Sequence, residues 1–335
     1  MNGPRFAIEI RERYGNVVRD RWPVSVDPLP NEVLSSWLHR LALANGLAPR
    51  SFADVLGLRP RMSPRLELRL PRHVAALLAH QTGVSHKSIS AMSMTGDALT
   101  ALLLPLRENS DRNRSSWMQY CPLCLADDDV PYFRRHWRLA SRISCFEHVT
   151  GLRDRCPSCR SGIASFNQGE LIPQHFCARC GFDLRSASKT QIKAAARRLE
   201  RSIEDICRVE LAKRPASVGD LISRLLGAPV AADLTSAKSL TNLSASMRIR
   251  CFERLASDPH DWLITDKDVG AAYWRRMILA AGGHQELIAR FADALEKQQG
   301  SPRPKRSPPE GADLSSLLEA YWRMHAEGPR RGKNG

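Results

Sequence analysis

Seven of the nine cysteines fall between Cys121 and Cys180, in two consecutive sets. The first set reads CPLC, then 20 residues, then CFEH; the second reads CPSC, then 17 residues, then CARC. A C-x2-C turn presents two thiolates from one tight loop, and a second pair from a distant turn completes a tetrahedron. Eight soft ligands on four knuckles match two Zn²⁺ sites per chain. Sequential assignment gives Cys121, Cys124, Cys145 and His148 to one ion and Cys156, Cys159, Cys177 and Cys180 to the other. All four positions are then filled by protein, which leaves no place for a reacting water and makes both sites structural.

Other uses of these thiols fit less well. Knuckles at near-regular spacing make an odd disulfide framework in a chain this long and otherwise cysteine-poor. A single C-x-x-C can be a redox dithiol, whereas three of them in succession with a C-x-x-H among them do not read as redox motifs. Interleaved ligation, with the first pair sharing an ion with the third, stays open. His136 and His175 are spare ligands that lie in no knuckle.

The elements that must hold these residues belong to a chain of 335 residues, long enough for two or three domains with real cores. No run approaches the length of an apolar membrane span, and the start (MNGPRFAIEIRERYG) lacks a signal-peptide core, so cytoplasmic residence is expected. Reduced thiols acting as metal ligands fit that compartment. Fifty Lys and Arg stand against 35 Asp and Glu, for a net charge of +15. An excess of that size favours a polyanionic partner, most simply DNA or RNA.

From Trp22 the pattern becomes helical. Leu34, Trp37, Leu38 and Leu41 form one apolar face with Asn31 as candidate N-cap, and Asn45-Gly46 ends the helix. Ser51 and Asp54 look like a capping box for the next one. Val74, Leu77 and Leu78 face inward on a third helix; Thr82-Gly83 makes a turn and Ser85 caps a short fourth. That arrangement is the helix-turn-helix pattern, with His86, Lys87 and Ser88 on the first turn of the second helix, where base edges are reached.

After a polar linker at 107–116, the excursion between the first two knuckles carries PYFRRHWRLASR. Arg134, Arg135, Arg138 and Arg142 among aromatic rings suit phosphate or partner contact. Tyr132, Phe133 and Trp137 are expected to pack around the zinc. Further on, Ile192, Ala196, Leu199, Ile203 and Ile206 mark one stripe of a long helix over 189–214. Another helix runs from Ser217 through Leu226, and 230–246 reads as a loop with a short helix. Thr265 and Asp268 cap a helix that Gly282-Gly283 joins to the next, again with helix-turn-helix proportions. Cys207 and Cys251 lie on helical faces and are expected to be buried. A Pro-rich basic linker at 300–311, a helix at about Leu314 to Met324 and the tail GPRRGKNG close the chain.

No catalytic set of quality is present. The zinc-deaminase H-x-E, H-E-x-x-H, the Walker A loop and the G-x-S-x-G elbow are all absent. Asp127, Asp128 and Asp129 could hold Mg²⁺, but three adjacent side chains point in different directions and serve one ion poorly. The chain is therefore expected not to be an enzyme.

Two stretches together resemble the TniQ family of transposon target-selection proteins, related to TnsD. PLPNEVLSSWLHRLALANGL carries P-x-E, S-W-L-x-R and A-x-x-N-G elements. YCPLCLADDDVPYFRRHWRLASRISCFEHVTGLRDRCPSC is similar to the family's zinc signature. The resemblance covers 22–60 and 117–182 and has no equally firm counterpart after residue 190. It implies a DNA-binding adaptor that marks the insertion site and recruits a AAA+ ATPase, which engages the transposase. Some relatives attach to a CRISPR RNA-guided effector; a homodimer is a further candidate assembly.

The fold class expected is a mainly α-helical multi-module protein with a central pair of small, zinc-ribbon or finger-like zinc modules and helix-turn-helix-like pairs. Its layout is an extension at 1–21, a helical domain at 22–110, a double zinc module at 117–185, a second helical domain at 189–298, and a linker, helix and tail at 299–335. A zinc-containing helix-turn-helix transcriptional regulator and a metal-dependent nuclease are the competing readings.

Overall fold

The computed structural model describes residues 21–58, 66–94, 98–105, 118–163, 169–213, 218–234, 239–257, 262–264, 269–298, 318–319 and 321–323. They form two compact units that divide between Gln191 and Ile192. Outside the described residues lie nearly all of the N-terminal extension, the 107–116 linker, the Thr265–Asp268 capping pair, the 300–311 linker and the basic tail. Of the last expected helix, 318–319 and 321–323 are described and are helical.

The first unit opens with α1 (Leu34–Ala44), whose Leu34, Trp37, Leu38 and Leu41 are wholly buried at the expected spacing. Asn31 does not cap it: this residue takes a left-handed φ of 55°, and Val33 is the N-cap. The first turn is tied to another segment instead, because the Val33 N–H donates to the Phe133 carbonyl at 3.0 Å. Asn45 ends α1 and holds the incoming chain, accepting from the Val24 N–H and donating to the Val24 carbonyl.

Helix α2 (Pro49–Val55) starts two residues before the expected Ser51 cap, with Pro49 pre-set for a first helical position and no side-chain cap. Helix α3 (Arg72–Thr82) buries Val74 and Leu78 and ends on Gly83 at φ 76°, a conformation that a β-carbon opposes. Ser85 then caps α4 (His86–Met92), its Oγ accepting from the Ser88 N–H at 3.1 Å. Ile89 and Met92 close this core over Trp37, Phe52 and Leu78.

Helix α5 (Pro122–Asp127) follows the first cysteine, and β1 (Ser144–Cys145) pairs antiparallel with β2 (Thr150–Gly151) in the register Ser144↔Gly151. Around them Tyr120, Leu125, Phe133, Trp137, Leu152 and Leu184 form a core that also contains Val33 from the start of α1. The helical pairs and the cysteine-rich segment thus fall in one unit, where the layout read from sequence separates 22–110 from 117–185. Backbone bridges Glu32↔Arg134 and Leu103↔Leu139 stitch the two parts. A small cysteine-rich segment has too little apolar surface for a core of its own and shares one.

The second unit is helical: α6 (Ala194–Lys213), α7 (Val218–Leu226), α8 (Ala228–Ala231), α9 (Ala245–Leu255), α10 (Val269–Ala281) and α11 (His284–Gln298). Ala196, Leu199, Ile203 and Ile206 of α6 are buried as expected, and so are Cys207 and Cys251. Helix α9 was not legible. Its buried Arg248 interrupts the apolar face, and what marks its start is Ser244, whose Oγ accepts from the Met247 N–H. Gly282 and Gly283 both take positive φ between α10 and α11, and Asp205 accepts from the His284 N–H at the head of α11.

Candidate metal centres

Three of the four knuckles are the same turn. In each, the residue four after the leading cysteine donates its N–H back to that cysteine's carbonyl: Val149 to Cys145, Arg160 to Cys156, Gly181 to Cys177. All three take φ between 54° and 69°, and only one is glycine. A non-glycine residue is rarely held there without a reason; here the turn aims two ligands at one point. The first knuckle is helical instead, with Pro122 opening α5 and the Leu125 N–H donating to the Cys121 carbonyl.

The ligand atoms converge in two groups, each within 4.8 Å: Cys121, Cys124, Cys145 and His148, then Cys156, Cys159, Cys177 and Cys180. In the first group Cys124 Sγ lies 3.4 Å from Cys145 Sγ, and His148 Nδ1 is 3.3 Å from Cys124 Sγ and 3.6 Å from Cys121 Sγ. In the second, Cys156–Cys180 and Cys159–Cys177 sulfurs are both 3.6 Å apart. A tetrahedral ion with metal–sulfur bonds of about 2.3 Å implies ligand separations of about 3.8 Å, so both groups could hold a metal ion. The grouping is the sequential one. His175 packs on Phe176 and His136 Nδ1 meets Asn31 Nδ2 at 2.6 Å, so neither spare histidine joins a ligand group.

Electrostatics favours a cation at the first group. The Cys124 thiol is pushed far up, first by its contact with the Cys121 sulfur and then by that with Cys145. The Cys145 thiol is held far down by hydrogen bonds from the same two sulfurs. A divalent cation removes this conflict, because all three can then be thiolates. The two groups also differ in depth. Cys121, Cys124 and Cys145 are buried, whereas in the second group Cys180 is exposed and Cys159 is half-buried.

The arginines between the first knuckles face inward. Arg134 makes a bidentate pair with Asp128 at 2.8 and 3.1 Å, and its guanidinium lies 4.4 Å from the Tyr132 ring centre and 4.8 Å from that of Trp137. Arg138 is 0% exposed and meets Glu67 at 2.8 Å. Arg142 is buried with its guanidinium 3.8 Å over Phe146, and Arg135 is half-buried. The sequence points Arg134, Arg138 and Arg142 to phosphate or partner contact; in the folded chain these three are buried and brace it. Tyr132, Phe133 and Trp137 pack inside as expected.

His86, Lys87 and Ser88 are exposed on α4, though Ser88 is also occupied by the cap at Ser85. Two further cations have no motif that singles them out in the sequence. Arg160 and Arg179 stand exposed beside the second ligand group and make no side-chain hydrogen bond or ion pair with a described residue. The available signal is position: Arg160 directly follows CPSC and Arg179 is the third residue of CARC.

Residues 23–152 match the family model TniQ, a span holding α1 to α4 and the whole first ligand group. No curated protein matches the chain.

Proposed function

Because residues 23–152 match the TniQ family model, we propose that the chain is a zinc-carrying, DNA-binding target-selection adaptor of a transposon. It would mark an insertion site and recruit a AAA+ ATPase, which in turn engages the transposase. The family match carries this reading. The way its two signature stretches interlock supports it: Phe133 donates its N–H to Ser36 Oγ at 3.0 Å, and the Arg135 N–H donates to the Asn31 carbonyl. Both ions are zinc in this proposal, held structurally by donor sets of three thiolates and one imidazole and of four thiolates.

DNA would meet the α3–α4 pair through His86, Lys87 and Ser88, as a helix-turn-helix docks in the major groove. The unpaired Arg160 and Arg179 would add phosphate contacts in place of the buried arginines. Site choice by a CRISPR RNA-guided effector and assembly as a homodimer belong to the same proposal, as does residence in the cytoplasm. Among the described residues no helix is long and apolar enough to cross a membrane.

Co-purification from cells carrying the neighbouring genes tests the role: the ATPase should come down with the chain. Neighbouring genes that encode no ATPase or transposase would instead favour the transcriptional regulator. A nuclease is disfavoured by the acidic triplet, since Asp127 pairs with His148 and Asp128 with Arg134. DNA cleavage with Mg²⁺ that Asp128→Ala abolishes would reverse that judgement.

For DNA, Lys87→Gln combined with Arg160→Gln and Arg179→Gln should weaken binding and lower its salt slope by up to about three units. An unchanged slope would take these cations out of the interface.

A further inference from the structure

We propose that Asp127 decides which ring nitrogen of His148 meets the metal, and so sets the affinity of the first site alone. This rests on the reading of Cys121, Cys124, Cys145 and His148 as a metal site. Asp127 Oδ2 lies 2.7 Å from His148 Nε2. That nitrogen is on the far side of the ring from the sulfurs, which Nδ1 approaches at 3.3 to 3.6 Å.

A neutral imidazole carries one proton and one lone pair, and only the nitrogen without the proton can bind a cation. A carboxylate beside Nε2 holds the proton there, which leaves the Nδ1 lone pair for the metal and makes it a stronger donor. It also fixes the plane of the ring. Asp127 reaches this place because it is the last residue of α5, the same short helix that carries Cys124. One element therefore supplies a thiolate and orients a ligand that lies 24 residues further on.

The three acidic neighbours divide their work. Asp128 is committed to Arg134, and Asp129 is exposed with no side-chain partner among the described residues. The second site is built from cysteines alone and has no histidine whose tautomer needs selecting. Any effect of Asp127 should accordingly be confined to one of two ions in the same molecule, which makes the second ion an internal reference.

The test is titration of the full apo chain with Co²⁺ and with Zn²⁺ against a chromophoric chelator, with ¹⁵N shifts of the His148 ring recorded on the zinc form. Asp127→Ala should weaken the first site by about 10- to 100-fold, leave the second unchanged, and shift the His148 ring resonances away from a single Nε2-protonated form. Asp127→Asn, closest in shape, should fall between wild type and Asp127→Ala, and Asp129→Ala should match wild type. Asp127→Ala or Asp127→Asn protein that takes both ions with wild-type affinity and ring shifts would overturn the assignment. Wild-type protein that binds only one ion, with no His148 shift, would overturn the metal reading of the first group itself.

Discussion

Glu67 and Arg138 meet at 2.8 Å with neither side chain exposed to solvent. Ser35 Oγ also donates to the Glu67 carboxylate, and Arg138 donates to the Leu104 carbonyl. The pair ties the segment before α3 to the excursion between the first two knuckles. Removing one partner strands a charge in the interior, which costs about 3–5 kcal/mol. Arg138→Met or Glu67→Gln should each lower the denaturation midpoint sharply. The double variant should be less destabilised than the two losses summed, and strict additivity in a double-mutant cycle would show that the pair does not interact as drawn.

Metal content should fall site by site. Wild-type protein is expected to carry two zinc ions by elemental analysis, one per ligand group. Cys145→Ser should lose one ion and much of the stability of the first unit, because Cys145 lies inside its core. Cys180→Ser should lose the other ion at smaller cost, since this cysteine is exposed. His175→Ala should lose none; loss of an ion there would redraw the ligand groups.

Acid should destabilise the first unit through His136. Burial, followed by the nearby Arg142 and Arg134 charges, pushes this imidazole down to about 3. The unfolded chain takes up the same proton near pH 6.5. Below that pH the unfolded state binds more protons, so stability falls as pH falls, by at most about 1.4 kcal/mol per pH unit, until the folded imidazole protonates near 3. Above pH 6.5 the group contributes no slope. His136→Gln should flatten the stability profile between pH 6.5 and 5, measured by denaturant melts with metal content monitored. An unaltered profile would place the acid sensitivity elsewhere.

The turn between α3 and α4 depends on Gly83. Its φ of 76° opposes any side chain, and a β-carbon there would sit 2.9 Å from Arg21 Nη1, which can swing aside. The backbone conformation then dominates the cost, and Gly83→Ala should destabilise by about 1–2 kcal/mol. If the α3–α4 pair docks on DNA, affinity should fall as well. Full stability in the variant would mean that the turn relaxes.

Much of the candidate site was legible because its signals are local. Ligand type and spacing define a metal knuckle within four residues, whereas the choice of sequential over interleaved grouping is made by the fold. The apolar periodicity of α1 and α6 and the cap at Ser85 are likewise properties of one turn or one helix. Asn31 and Ser51 show where that logic fails: each has capping chemistry, but Asn31 is tied to His136 105 residues away and Pro49 starts its helix earlier.

The sequence by itself determined the eight candidate ligands, the helical class, the positive charge and the likeness of residues 23–152 to TniQ. Tertiary structure alone decided which arginines are spent inside and which remain free. Arg134 and Arg138 look identical in sequence to Arg160 and Arg179. Their fates differ because a charged side chain enters a core only against a fitted partner, and Asp128 and Glu67 are brought to the first two by folding. The same holds for Asp127, whose carboxylate gains its place beside His148 only when α5 and the β1–β2 turn close on one cluster.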